Sequence, residues 1–151
     1  MSVCTFIASN HPLLEVRPPQ DYPLLINLDN GTVFDGDADD NYFLLAFEDV
    51  KLYTDMTYAV CLQWNYTAGR AEEILKYIKF ALQNTDCVEL WHVWLTGYYE
   101  FEDRPYIHRK TIAIDELKCH DIRELDNAEI WNKPDRYYPA RPSFYCLQIV
   151  R

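Results

Sequence analysis

The sequence has little glycine and no clustered cysteine, and both shortages exclude familiar kinds of site. Its 151 residues include only four glycines, too few to suggest the glycine-rich loops that cradle phosphate groups. Its five cysteines are odd in number and widely spaced, without a Cys-x-x-Cys pair, so they indicate neither a disulfide framework nor a zinc knuckle. We expect five free thiols, most of them buried in strands.

Motifs for metal binding and nucleophilic catalysis are missing as well. The four histidines share no close ligand spacing, and no Gly-x-Ser-x-Gly turn occurs. The segment that starts at Asp35 places Asp at alternating positions, as calcium loops do. Its sixth position, however, is Asp40 where a turn glycine is needed, and its twelfth is Ala46 where a bidentate Glu is needed. We therefore expect no metal site and no cofactor.

Basic residues and long apolar runs are also scarce. The chain has 24 acidic and 14 basic residues, a formal charge of −10, and a surface of that sign repels phosphate backbones and anionic lipid. No apolar run approaches the roughly 18 residues of a membrane helix, and the first ten residues lack the Lys or Arg of a signal peptide. We expect a cytoplasmic protein that binds neither nucleic acid nor membrane.

What the sequence does have is a concentration of acid between Asp29 and Asp55. This segment contains a single base, Lys51, and eight acids: Asp29, Asp35, Asp37, Asp39, Asp40, Glu48, Asp49 and Asp55. A patch of that density steers basic partners, so we assign partner binding to four consecutive acids within it: Asp35, Asp37, Asp39 and Asp40.

The apolar patterning predicts one α+β domain over residues 1–151. Apolar residues at three- and four-residue intervals predict one long helix over about 69–84, and "ELKCHDIREL" predicts a weaker second helix that starts at Asp115. Asn30-Gly31 predicts a hairpin with a two-residue turn. Strand patterns occur at Val3–Ala8, Tyr42–Phe47, Thr57–Trp64, Cys87–Leu95, His108–Ile114 and Phe144–Val150.

These elements predict a mixed, mainly antiparallel sheet. The order strand, helix, strand from Thr57 to Leu95 favours two parallel strands joined by a crossover. The other strands lack helices long enough to cross over. We expect the long helix to cover one face of the sheet and the proline-rich loops to cover the other.

The strand "CVELWHVWL" carries one titratable residue on each face. Alternation places Val88, Leu90, His92 and Trp94 on one face and Cys87, Glu89, Trp91, Val93 and Leu95 on the other. A buried carboxylate needs a partner, for which we expect an Arg or Tyr from the loops; for His92 we expect a backbone carbonyl or a Tyr hydroxyl. Glu89 and His92 are weak candidates for a catalytic acid or base, each on its own side.

The loops rich in Arg, Pro and Tyr are the other candidate site. Arginine binds carboxylate or phosphate through paired hydrogen bonds, and aromatic rings stack on ligands. Nearby acids offer the simpler alternative of salt bridges that pin the loops. If these loops lie over the face that carries Glu89, they form a pocket whose ligand-binding residues are Trp91, Arg104, Arg141, Tyr99 and Tyr138.

Two functions follow from these features. The first is a small acidic binding protein that neutralises a basic protein partner, as immunity or antitoxin-type proteins do by charge complementarity. The alternative is a small-molecule-binding protein or hydrolase-like enzyme that uses the pocket near Glu89 and Trp91. An enzyme is the less favoured of the two, because no catalytic motif is present.

Overall fold

The computed structural model describes residues 3–94, 107–127 and 144–151. Its strands are β1 (Val3–Ser9), β2 (Leu25–Asn27), β3 (Thr32–Phe34), β4 (Phe43–Ala46), β5 (Tyr58–Gln63), β6 (Cys87–Trp94), β7 (Ile107–Ala113) and β8 (Phe144–Val150). Its helices are α1 (Ala68–Ala81), α2 (Cys119–Asp126) and a 3-10 helix over Asp49–Leu52.

Six strands form one mixed sheet in the order β4-β5-β1-β6-β8-β7. Every neighbouring pair is antiparallel except β7 and β8, which run parallel. This confirms the predicted single-domain α+β fold with a mixed sheet. Strands β5 and β6 run in the same direction as predicted, because each is antiparallel to β1, which lies between them.

Both helices pack on one face of this sheet. Helix α1 begins where the Thr67 side chain accepts a hydrogen bond from the Arg70 backbone N–H at 3.1 Å, and it buries Ile74 and Ile78. Helix α2 adds Ile122 and Leu125 to the same core cluster. The helical layer is therefore two helices. Helix α1 overlaps the long helix predicted over about 69–84, and α2 overlaps the weaker helix predicted to start at Asp115.

Aromatic packing fills the opposite face. The rings of Phe6 and Trp91 stack with centroids 5.8 Å apart and planes 6° apart, and Tyr53 packs 5.8 Å from Phe6. Val50, in the 3-10 helix, belongs to the same cluster. The chain that follows β4 thus covers this face.

The first proline-rich segment lies on the helix side, so the expectation that it covers the opposite face was wrong. Leu13 and Val16 pack against the core cluster beneath α1, and the Tyr77 hydroxyl donates to the Leu14 carbonyl at 2.6 Å. Val16 also forms a β-bridge with Leu44, which places the segment along the edge strand β4. The other two proline-rich segments fall outside the described ranges, apart from Phe144 at the end of the last one.

The hairpin of β2 and β3 also differs from its prediction. Its last strand pair is Asn27 with Thr32, which leaves a four-residue loop where two residues were expected. Gly31 has a φ of 68°, whereas Asn30 does not take a positive φ. One left-handed residue at the end of a longer loop replaces the two that a type I′ turn requires.

An ion pair inside the protein fixes the acidic segment to the start of α1. The Arg70 side chain is fully buried, and its two terminal nitrogens donate to the two carboxylate oxygens of Asp35 at 2.9 and 3.0 Å. The same guanidinium donates to the backbone carbonyls of Ala38 and Asn65, each at 2.9 Å. It thereby joins the loop after β3 to the loop after β5.

We predict that Asp35→Asn lowers the free energy of unfolding by about 3 kcal/mol, because it leaves the buried Arg70 charge without its counter-ion. The exposed neighbour Asp37 supplies the control, since Asp37→Asn should change it by less than about 0.5 kcal/mol. Denaturant unfolding measures both values. A loss below about 1 kcal/mol for Asp35→Asn would show that the ion pair does not anchor the loop.

Candidate functional site

The acidic segment is exposed almost throughout. Seven of its eight acids are exposed, and the exception is Asp35, which Arg70 neutralises. The guanidinium also holds the pKa of the Asp35 carboxyl below its usual value, chiefly by hydrogen bonding. Of the four acids assigned to partner binding, Asp37, Asp39 and Asp40 are exposed, while Asp35 has a structural role.

The loop that carries these acids has a defined shape. Gly36 and Asp37 both adopt left-handed backbone conformations, with φ of 82° and 51°. The Asp37 N–H donates to the Asp35 carboxylate at 3.2 Å, and the Asn41 N–H donates to the Ala38 carbonyl at 3.0 Å. These bonds hold the loop backbone in one conformation while the outward side chains stay exposed.

Two adjacent acids of the loop contact neighbouring segments. The carboxylate of Asp39 lies over Gly69 in the first turn of α1, in the space that any larger residue's Cβ would occupy. A carboxylate is favourable beside a helix N-terminus, where backbone N–H groups lack partners. The Tyr22 hydroxyl donates to Asp40, which joins the proline-rich segment to the loop.

The hairpin that precedes the loop exposes apolar side chains. Every residue of β2 and β3 is exposed. Of the ten large apolar side chains that are exposed in the described ranges, six lie between Leu24 and Phe34, and Leu28 at the hairpin tip is 89% exposed. Clustered exposed apolar surface of this kind marks interaction sites on soluble proteins.

A cleft of about 580 Å³ lies at the base of this hairpin. Leu24 and Asp35 line it on the hairpin side, and Gln63 and Trp64 line it at the end of β5. The rest of the lining combines an arginine, amides and further aromatic rings, including Arg17, Gln20, Tyr22, Asn41, Phe43 and Asn65. This mixture of rings and hydrogen-bonding groups suits a small polar ligand or a polar side chain.

Glu89 lies on the sheet face opposite the helices, and its carboxylate is fully partnered. It accepts hydrogen bonds from the Thr54 hydroxyl at 2.6 Å and the Trp91 indole N–H at 2.7 Å. Arg109 and Gln148, on β7 and β8, lie at 3.5 and 3.4 Å from its other oxygen. The expected arginine partner therefore comes from a strand, and not from a loop.

Trp91 is fully buried within this cluster. The Arg109 guanidinium lies 5.1 Å from its ring centroid, and Phe6 stacks on it. Its contacts give Trp91 a packing role and a hydrogen bond to Glu89. The other residues assigned to that pocket, Tyr99, Arg104, Tyr138 and Arg141, lie outside the described residues, so the pocket stays a prediction.

His92 belongs to a row of polar side chains on the helix-packed face. The strand register places Thr5, His92, Tyr145 and His108 side by side across β1, β6, β8 and β7. The Thr5 hydroxyl lies 3.3 Å from the Nδ1 atom of His92. The rings of Tyr145 and His108 stack 4.9 Å apart.

This row lies at the edge where β6 ends and where β7 and β8 begin. All four side chains are buried, and burial lowers the pKa of His92. A neutral imidazole in such a row can accept or relay a proton. Sequence reasoning identified His92 but missed His108 and Tyr145, since a pattern within one strand does not say which strands become its neighbours.

No metal centre is present in the part of the chain that the structure describes. No three His, Cys, Asp or Glu residues there come together as ligands would. Within the same ranges, no helix is both long enough and apolar enough to cross a membrane.

We predict that protonation of His92 destabilises the fold in mild acid. The unfolded chain takes up this proton near pH 6.5, above the folded pKa, so the free energy of unfolding falls as pH drops below that value. His92→Gln should therefore lose less stability than wild type between about pH 7.5 and about pH 5.5. Chemical denaturation at the two pH values measures the difference.

The exposed His11 provides the control for this experiment. His11→Gln should keep the wild-type pH dependence, because this substitution changes an exposed side chain and leaves the buried row of His92 intact. An unchanged pH dependence in His92→Gln would mean that the buried row does not oppose protonation.

Comparison with known proteins leaves the site to be interpreted from its own geometry. No protein-family model matches the chain, no curated protein matches it, and no solved structure matches it.

Proposed function

We propose that the protein is a binding protein that docks a basic protein partner on its acidic hairpin surface. This surface comprises the hairpin from Leu24 to Phe34 and the loop of Asp37, Asp39 and Asp40. The observation that carries the proposal is the combination of exposed apolar strands with exposed carboxylates in one continuous segment. Apolar contact supplies affinity in such a surface, and charge supplies selectivity and speed of association.

The apolar part of the surface needs a partner to cover it. The three residues of β2 and the three of β3 are all exposed, and these strands pair only with each other in the described structure. Leaving Leu25, Ile26 and Leu28 in water is unfavourable, and an exposed strand edge invites aggregation. A protein partner that covers the hairpin removes both liabilities.

The charge of the surface indicates the sign of the partner. Asp29 lies in the hairpin loop, and Asp37, Asp39 and Asp40 follow shortly after β3. Lys51 is the sole base between Asp29 and Asp55. The negative potential of this surface speeds the association of a basic protein, most strongly at low salt, and it repels nucleic acid. Neutralisation of a basic partner in the manner of an immunity or antitoxin protein is the role that fits best.

The cytoplasm is the compartment we propose for this role. The chain has five cysteines and all five are free thiols, which suits a reducing environment.

We predict that Leu28→Ser with Val33→Thr abolishes capture of the partner while leaving the fold intact, because both side chains are exposed. Phe80→Ser is the matched control, since Phe80 is a similarly exposed apolar residue on α1. Tagged wild type and both variants are compared by quantitative pull-down from the source cells. A basic protein should be retained by wild type and by Phe80→Ser and lost from the hairpin variant.

Charge neutralisation tests the electrostatic half of the proposal. Asp29→Asn with Asp37→Asn should slow association with the captured partner by roughly tenfold at low salt, and less at high salt. Asparagine tolerates the left-handed backbone at position 37, so the loop keeps its shape. If the variant and wild type associate at equal rates at every salt concentration, the acids only keep the surface hydrated and do not steer the partner.

A small-molecule site is the second candidate function, and the cleft of about 580 Å³ favours it. Its lining offers Trp64 and Phe43 for stacking and Asn41 and Gln63 for hydrogen bonds. A hydrolase-like reaction at Glu89 or His92 has less support. The Glu89 carboxylate already accepts hydrogen bonds from Thr54 and Trp91, which give it a structural role. Thermal stabilisation by a panel of metabolites, abolished by Trp64→Ala, would favour this candidate over partner binding.

A further inference from the structure

Two cysteines on neighbouring strands bring their sulfur atoms close together. The Sγ atoms of Cys4 on β1 and Cys61 on β5 lie 3.2 Å apart. Cys61 faces Phe6 across the strand pair, so Cys4 is its diagonal neighbour on the same face of the sheet. The two residues are 57 positions apart in sequence, and the pairing of β1 with β5 is what brings them together.

The two thiols have different surroundings. Cys4 is buried, whereas Cys61 is partly exposed beside the aromatic cluster on the face opposite the helices. Hydrogen bonding between the two thiols lowers the pKa of Cys61 and, together with burial, raises the pKa of Cys4. Cys61 is therefore the better nucleophile of the pair, and Cys4 holds its proton until Cys61 has reacted.

We infer that Cys4 and Cys61 form a dithiol that a peroxide converts into a disulfide. The inference rests on the contact between the two sulfurs and does not depend on the proposed partner binding. The sulfurs must approach from 3.2 Å to about 2.05 Å, a movement that side-chain rotation and small adjustments of the paired strands can supply.

The reaction proceeds in two balanced steps. The Cys61 thiolate attacks one peroxide oxygen, so that an S–O bond forms, the O–O bond breaks and hydroxide leaves; sulfur loses two electrons and the peroxide gains them. The sulfur of Cys4, after losing its proton, then attacks the sulfenic sulfur of Cys61. The S–S bond forms, the S–O bond breaks, and the oxygen leaves as water once protonated.

The other three thiols differ from this pair. Burial raises the pKa of Cys87, Cys119 and Cys146, which disfavours the thiolate that reacts with peroxide. Oxidation at low peroxide should therefore be selective for the Cys4 and Cys61 pair.

Hydrogen peroxide treatment of the intact reduced protein tests the inference. Titration of thiols after unfolding should find five before treatment and a loss of two after it, and peptide mapping should identify a Cys4–Cys61 crosslink that dithiothreitol reverses. Retention of all five thiols, or a crosslink between other cysteines, would overturn the inference.

Single substitutions test the assigned roles. Cys4→Ala should leave Cys61 as a sulfenic acid that dimedone labels, whereas Cys61→Ala should leave Cys4 unlabelled under the same conditions. Cys87→Ala is the matched control, because it removes another partly buried thiol and should still form the crosslink. Equal dimedone labelling of Cys4 and Cys61 in the two variants would contradict the asymmetry. Should either variant fail to fold, crosslink mapping on wild type decides the inference alone.

Discussion

The pairing of Arg70 with Asp35 is the interaction on which the arrangement of the candidate surface depends. A guanidinium without solvent exposure is costly unless its hydrogen bonds are satisfied. Here the carboxylate of Asp35 and the carbonyls of Ala38 and Asn65 satisfy it. Because these groups belong to two separate loops, the charge can be buried only when both loops are in place at the start of α1.

The acidic loop gains its shape from this anchor. Exposed carboxylates repel one another, and a flexible loop would spread them apart. Arg70 pairs with Asp35 and bonds the backbone carbonyl of Ala38, so the backbone that carries the neighbouring acids is held in one conformation. A preordered surface loses less entropy when a partner binds, so the anchor favours association without contacting the partner itself.

The central strand β6 shows how the sheet tolerates two polar side chains in its core. Glu89 faces away from the helices, accepts hydrogen bonds from Thr54 and Trp91, and forms an ion pair with Arg109. His92 faces the helices, beside Thr5. Each buried polar group therefore has partners on its own face of the sheet. Because Glu89 and His92 lie on opposite faces, they do not act as a pair.

Much of the fold could be predicted from local patterns, whereas little of the site could. All six strands of the main sheet could be located, because they are rich in the apolar, β-branched and aromatic residues that occur in sheets. The partner of Arg70 was not predictable, since Asp35 is 35 positions away and seven other acids surround it in sequence. The contact between Cys4 and Cys61 depends equally on strand order, which no local pattern contains.

The hairpin shows a different limit. Its composition resembles that of a buried element, so Leu25, Ile26 and Val33 gave no signal that they are exposed. Exposure depends on whether another element covers the hairpin, and that is a property of the whole fold. The side on which the first proline-rich segment lies was missed for the same reason, because proline restricts the backbone but does not choose the face it packs on.

Hydrogen exchange on Arg70→Lys tests most directly whether one ion pair orders the acidic loop. Lysine keeps the positive charge but lacks the planar guanidinium, whose several N–H groups bond Asp35, Ala38 and Asn65 at the same time. The account predicts that the amides of Asp37 and Asn41 lose protection in this variant while those of β1 and β6 retain it. Equal protection of the loop amides in the variant and the wild type would contradict it.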